Sequence, residues 1–300
     1  MTALYRGDFL GVRKHLEQGI AVYRPEAHHS RAVAEYGIDP HIGCLAYLGR
    51  ALWCLGYPEQ ALARNRQAVS EAEAWGGALG VAIARGMLTS IHQLRGEVAE
   101  TLDASRRAIA HAEEWGVTYW QAQSGVLQAW AEAKSLSDHD PARRLADARR
   151  SLEQYRATGT RLALTWLLIL LAETCRASGA AREGLQAIEE ALAHANETGE
   201  RYHEAEIHRL KGELLLAEDG VQAAPAARHC FIQAIEVAQR QEAKSWELRA
   251  STSLARLLQR EQRHDEARAV LGPVCEWFTE GFGTADFRDA RAVLEARPIP

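Results

Sequence analysis

Three hundred residues, 47% hydrophobic and 25% charged, fall in the globular range and far from the disordered one. Thirty-five Lys+Arg against 40 Asp+Glu leave a net charge of −5, which argues against a general nucleic-acid binder with its basic footprint. Five scattered cysteines, never spaced C-x-x-C, point to reduced thiols in a cytosol rather than to a disulfide framework or zinc site.

The chain opens on MTALYRGDFLGVRKH, which lacks the apolar segment of a secretory signal. An opening helix is expected within residues 1–23. YRGDFLGVRKHL reads as the second helix of a unit whose first is missing, so a fragment of a larger protein is expected. Residues 24–40, RPEAHHSRAVAEYGIDP, carry Pro25, Gly37 and Pro40 and read as an irregular connection.

From residue 41 to 281 the segment ends repeat: EAEAWG (71–76), HAEEWG (111–116), EQYRATG (153–159), HANETG (194–199) and VAQRQEA (237–243). The glycines at 76, 116, 159 and 199 are spaced 40, 43 and 40 apart; Ala243 and Gly281 are the next equivalents. A second mark, in CLGYPEQAL (54–62), QLRGEVAETL (93–102), ASGAAREGL (177–185) and QRHDEARAV (262–270), precedes each by half a period. Each unit is thus two helices with a tight turn after each, roughly 25 Å long. Six such pairs are expected.

Periodicity agrees. In PEQALARNRQAVSEAEAW, Ala61, Leu62, Ala68, Val69, Ala72 and Trp75 fall on one side. LALTWLLILLA (162–172) is too short to cross a bilayer and reads as a buried helix. The fold class expected is all-α: a right-handed superhelical solenoid of antiparallel helix pairs with a period near 40, whose units bury their apolar faces only by stacking.

Residues 282–300 form a closing helix and tail. Leu271, Val274, Trp277 and Phe278 follow helical spacing, EGFGTA breaks it, and Thr284 can cap a helix buried through Phe287, Ala290, Val293 and Leu294. This aromatic density is expected to cover the open end of the array.

Chemistry-bearing motifs are sparse. His28 and His29 are adjacent, and His203 and His208 are five apart; neither spacing suits a metal, and no metal or cofactor is expected. No G-x-x-x-x-G-K-[ST] or G-x-S-x-G occurs. In PARRLADARRSLEQYR (141–156), Asp147 and Glu153 dilute the basic stripe, so no nucleic acid is expected. The chain is expected to act without catalysis of its own.

The small residues of CLAYLGRALWCLGYPEQAL (44–62), with Gly49, Gly56 and Ala61, resemble tetratricopeptide repeats, with helices longer by one to two turns per unit. WFTEGFGTADFRDARAVLE (277–295) further resembles the closing signature of the repeat region of bacterial adenylate/guanylate cyclases with a predicted ATPase. HLEQGIAVY (15–23), LGYPEQAL (55–62), TGERYHEAEIHRLKGELLL (198–216) and RQEAKSWELRASTSLARL (240–257) extend that likeness. The resemblance implies a cytoplasmic, regulatory or scaffolding role beside a cyclase or ATPase module, with a protein or peptide in the concave groove.

Carrying over the inner-glycine position makes Gly49, Ala172, Gly212 and Ala255 equivalent. Groove residues then fall at Arg50 and Trp53, at Glu173 and Arg176, at Glu206, Arg209 and Glu213, and at Arg249, Thr252 and Arg256. Arg209, Arg249 and Arg256 are expected as anion contacts, since guanidinium offers a planar fork. Self-association into a homo-oligomer through an apolar end face is the alternative, and an unrecognised helical-repeat enzyme a further one.

Overall fold

The structure, a computed structural model, describes residues 2–75, 77–135 and 140–296. The expected turn glycine at 76, most of the SLSDHD turn and the last four residues of the tail lie outside the described residues.

The chain begins with α1 (Thr2–Tyr5), α2 (Phe9–Val22) and α3 (Pro25–Tyr36). Three helix pairs follow: α4 (Pro40–Cys54) with α5 (Pro58–Trp75), α6 (Ala78–Leu94) with α7 (Val98–Glu114), and α8 (Thr118–Lys134) with α9 (Pro141–Ala157). Three more are α10 (Leu164–Ala177) with α11 (Ala181–Thr198), α12 (Glu204–Asp219) with α13 (Ala224–Arg240), and α14 (Lys244–Arg260) with α15 (His264–Trp277). A 3₁₀ turn at Gly220–Ala223 leads into α13, and α16 (Ala285–Glu295) closes the chain. No strand occurs among the described residues. The fold is an all-α solenoid of helix pairs.

Two expectations at the N-terminal end are corrected. The opening helix is interrupted at Gly7, whose φ is 80°, and Asp8 then caps α2 by accepting the Gly11 N–H at 2.9 Å. Residues 25–36, expected as irregular, are helical. Pro25 stands in the first turn, where its missing N–H costs nothing, and Gly37 closes the helix at φ 72°. The breakers bracket this helix rather than interrupt it.

Turn chemistry sets the period. Gly56 and Gly96 take the left-handed conformation after α4 and α6, at φ 90° and 73°. In the last units the same conformation falls on Glu242 (φ 53°) and Gln262 (φ 63°). The position after α13 is therefore Glu242, not Ala243. A long side chain tolerates this region at a modest cost, so the turn is kept without the glycine that marks it elsewhere.

Small residues let paired helices approach. A Cβ on Gly49 would lie 2.9 Å from the Ala61 carbonyl across the α4/α5 contact. On Gly212 it would lie 2.5 Å from the Phe231 ring across α12/α13. The apolar α10 runs through the main core, with every residue from Thr165 to Cys175 buried. No described helix is long and apolar enough to cross a membrane.

The coil closes on itself. Trp53 on α4 meets Trp246 on α14 edge-on at 4.6 Å, and Ser245 Oγ donates to the Trp53 carbonyl. Arg249 Nη2 donates to Leu94 O at 2.6 Å, and Ala285 N to Arg95 O at 3.4 Å. Glu280 accepts the N–H groups of Glu59 and Gln60 at 2.8 and 3.1 Å, at the exposed start of α5. The C-terminal segment is therefore more than a cover for the last pair. Phe278, Phe287, Ala290 and Val293 are buried on the preceding helices. Trp277, 37% exposed, turns instead to Tyr57 of the first pair, ring centroids 5.6 Å apart. The open groove expected from the repeat pattern is narrowed to a chamber that keeps an opening to solvent.

Candidate functional site

The interior of the coil holds this polar chamber, of about 250 Å³, between α8, α10, α12, α14 and α16. Its lining falls one and four residues after Ala172, three before and one after Gly212, and six and three before and one after Ala255, positions that share the inward face of each first helix. Seven of the ten sequence-assigned groove residues line it: Glu173, Arg176, Arg209, Glu213, Arg249, Thr252 and Arg256. Glu206 lies at its wall, where it holds Arg209 and Arg249.

The chamber is a network of buried charge. Arg209 donates Nε and Nη2 to the two oxygens of Glu206, both at 2.7 Å, and approaches Glu213 at 3.6 Å. Arg249 donates Nε to Asp286 at 2.8 Å and lies 3.5 Å from Glu206. Glu173 accepts the Trp130 indole N–H at 2.6 Å and lies 3.4 Å from the Lys134 ammonium. Burial by itself would lift the Glu173 carboxyl, but Lys134, Arg249 and Arg209 outweigh it and hold the pKa down at about 2. Burial dominates at Asp286, whose pKa is raised despite Arg249. Glu213 is lowered: burial is outweighed by Arg209 and the Ser253 hydroxyl.

Two groove assignments are corrected. Arg50 and Trp53 are buried in the packed interior, outside the chamber lining. Trp53 lies beneath the Arg249 guanidinium at 5.0 Å, and Arg50 lies over the Trp166 ring at 4.5 Å. The first pair faces α14 across the closed coil, so its inward positions become core. Arg209 and Arg249, expected to meet an external anion, are occupied by carboxylates of the same chain. A repeat register tells which face a side chain takes but not which neighbour already fills it.

Free capacity lies at the rim. Arg176, in the last turn of α10, is exposed and has no ion pair among the described residues. Arg256 is half-exposed and pairs at 3.1 Å with the exposed Asp289, a contact that solvent screens. Thr252 is committed to its own helix, donating to Leu248 O at 2.7 Å.

Gln93, Trp130 and Lys134 also line the chamber. The first two were within reach of the sequence: carrying the 40-residue period from Gly49 to Thr89 and Ala129 puts Gln93 and Trp130 at the same inward offsets. Asp286 and Asp289 come from α16, which packs on the neighbouring α14 and pairs them with Arg249 and Arg256; as acids of the closing helix they were read as cap rather than as groove.

No family model and no curated protein match the chain. Among solved structures it is similar to the apo form of RapI, with a TM-score of 0.59 and 12% identity over 98% of both chains. A circular tandem repeat protein with novel repeat topology aligns over 95% of this chain and 77% of its own at 17% identity, but the TM-score of 0.25 carries no structural argument. The likeness to RapI supports the all-α repeat fold at the scale of the whole chain.

Proposed function

We propose that this chain is a non-catalytic binding scaffold whose partner is a protein or peptide with an acidic stretch, received at the rim of the chamber. The observation that carries this reading is Arg176, an exposed guanidinium without an ion pair among the described residues, lining a chamber whose other charges are internally paired. Arg256 and Lys134 stand at the same lining, and a carboxylate can displace Asp289 from Arg256 at little cost because that pair is solvated. The repeat fold supports a recognition role, since stacked helix pairs present extended surfaces rather than a loop-built reaction centre. The sequence likeness to cyclase–ATPase repeat regions supports a finer placement, as a cytoplasmic regulatory arm of a bacterial signalling ATPase or cyclase.

The test uses a fluorescent decapeptide of Glu and Gly and measures anisotropy at low and physiological salt. The Arg176→Ala/Arg256→Ala double variant is expected to bind about tenfold more weakly, with an unchanged melting temperature. Equal binding by the two proteins, or none by the wild type at low salt, sinks the proposal.

A further inference from the structure

Arg50 is the anomaly of the interior. It is 2% exposed, and neither Nε nor Nη2 has a hydrogen-bond partner among the described residues. The described residues place no carboxylate within ion-pair distance of it; it lies over the faces of Trp166 at 4.5 Å and Tyr202 at 5.4 Å, with Tyr5, Tyr47, Tyr119 and Glu200 in electrostatic range. Aromatic faces attract a cation but do not accept its N–H hydrogens in the guanidinium plane. Buried charges in folded proteins are otherwise paired and hydrogen-bonded, because an unpaired one retains most of its desolvation cost.

The unpartnered edge identifies what fits it. Nε–H and Nη2–H are the parallel pair of the guanidinium, the fork that matches two oxygens of one carboxylate. In this chain the same edge of Arg209 holds both oxygens of Glu206, and that of Arg263 holds both oxygens of Glu266 at 2.7 and 2.6 Å. At Arg50 the fork is formed, buried and unmatched.

A cleft lies beyond Tyr202, whose ring Arg50 faces at 5.4 Å. α1 is tied to the α11–α12 turn, with Tyr5 O accepting the N–H groups of Arg201 at 2.5 Å and Tyr202 at 3.2 Å. Between α1 and the turns at Leu162 and Gly199 lies a cleft of about 440 Å³ whose lining includes Tyr5 and Glu200. Both feel the Arg50 charge. Glu200 is 5% exposed and lies beside the Thr165 hydroxyl. A phosphate dianion is disfavoured beside that acid, whereas a monocarboxylate with an uncharged body suits both the fork and the Tyr5–Leu162 walls.

We infer that Arg50 anchors an internal site for a small organic monocarboxylate, entered through the cleft between α1 and the α9–α10 and α11–α12 turns. The site is separate from the chamber rim, so a ligand there and an acidic partner at Arg176 are independent occupants.

The experiment titrates the full chain with sodium acetate and sodium phenylacetate, with sodium chloride at equal ionic strength and sodium phosphate as the other arms. Melting temperature and tryptophan fluorescence are read, the latter because Trp166 lies against Arg50. The expected result is a saturable rise in melting temperature of several degrees with a carboxylate and not with chloride. Arg50→Lys, which keeps the charge and loses the fork, is expected to shift the midpoint at least about tenfold to higher concentration. Arg50→Met is expected to abolish the response and to melt no lower than the ligand-free wild type, since it removes an unpaired buried charge. If Arg50→Met does not fold, Arg50→Lys alone decides. The inference is overturned by a response equal to chloride, by one from phosphate alone, or by a carboxylate response that Arg50→Lys leaves unchanged. Arg176→Ala/Arg256→Ala must keep the carboxylate response, which separates failure here from failure of the acidic-partner proposal.

Discussion

At the scale of single residues, the chamber charges hold helices together. Arg209 touches Glu206 and approaches Glu213 and Glu173, on α10 and α12, and its removal takes away a buried cation shared by three acids. Arg209→Met is therefore expected to destabilise the fold by about 3 kcal/mol in urea denaturation. A loss below the measurement error would mean that the network contributes position but no net stability. Glu173 adds a pH dependence. Its folded pKa, near 2, lies below the ordinary 4.5, so its stabilising contribution is complete above about pH 4.5 and is lost as pH falls towards 2. Glu173→Gln should flatten the stability profile in that window, and an unchanged slope there would assign the acid sensitivity to other carboxylates.

At the scale of elements, stability rests on how closely each pair packs. Gly212 has no room for a methyl group, with the Phe231 ring 2.5 Å and the Ala227 carbonyl 3.0 Å from its notional Cβ. Gly43, in the first turns of α4, has nothing within 4 Å. Gly212→Ala is expected to cost about 1–3 kcal/mol through overpacking. Gly43→Ala should gain roughly 0.5–1 kcal/mol by restricting the unfolded chain. Opposite signs in one denaturation series would establish that glycines at pair contacts are packing devices, and equal signs would refute it.

At the scale of the whole molecule, the closed coil creates both candidate sites. Its seam includes Glu280 at the start of α5, where a carboxylate accepts two N–H groups that α5 cannot satisfy itself. Glu280→Lys places a cation against those donors. Hydrogen exchange at the Glu59 and Gln60 amides is expected to quicken by about tenfold, with exchange inside α10 unchanged. Uniform acceleration would show that the seam is part of the global fold rather than a local clasp.

The residues alone determined the helix pairs, their period and the inward face, because a solenoid repeats one local solution. Gly49, Gly56 and Ala61 carry packing and turn signals within twenty residues of one another. Pro25 and Gly37 misled for a local reason: each is compatible with a helix end as well as with a loop. The tertiary structure decided what the inward face meets. Closure brings α14 against the first pair and the start of α16 against the α6–α7 turn, and it buries Trp53 against Trp246. Those partners lie 155 to 192 residues apart at Leu94–Arg249 and Trp53–Ser245. Such contacts follow from the summed small rotations between successive pairs, which no single repeat encodes in its own residues.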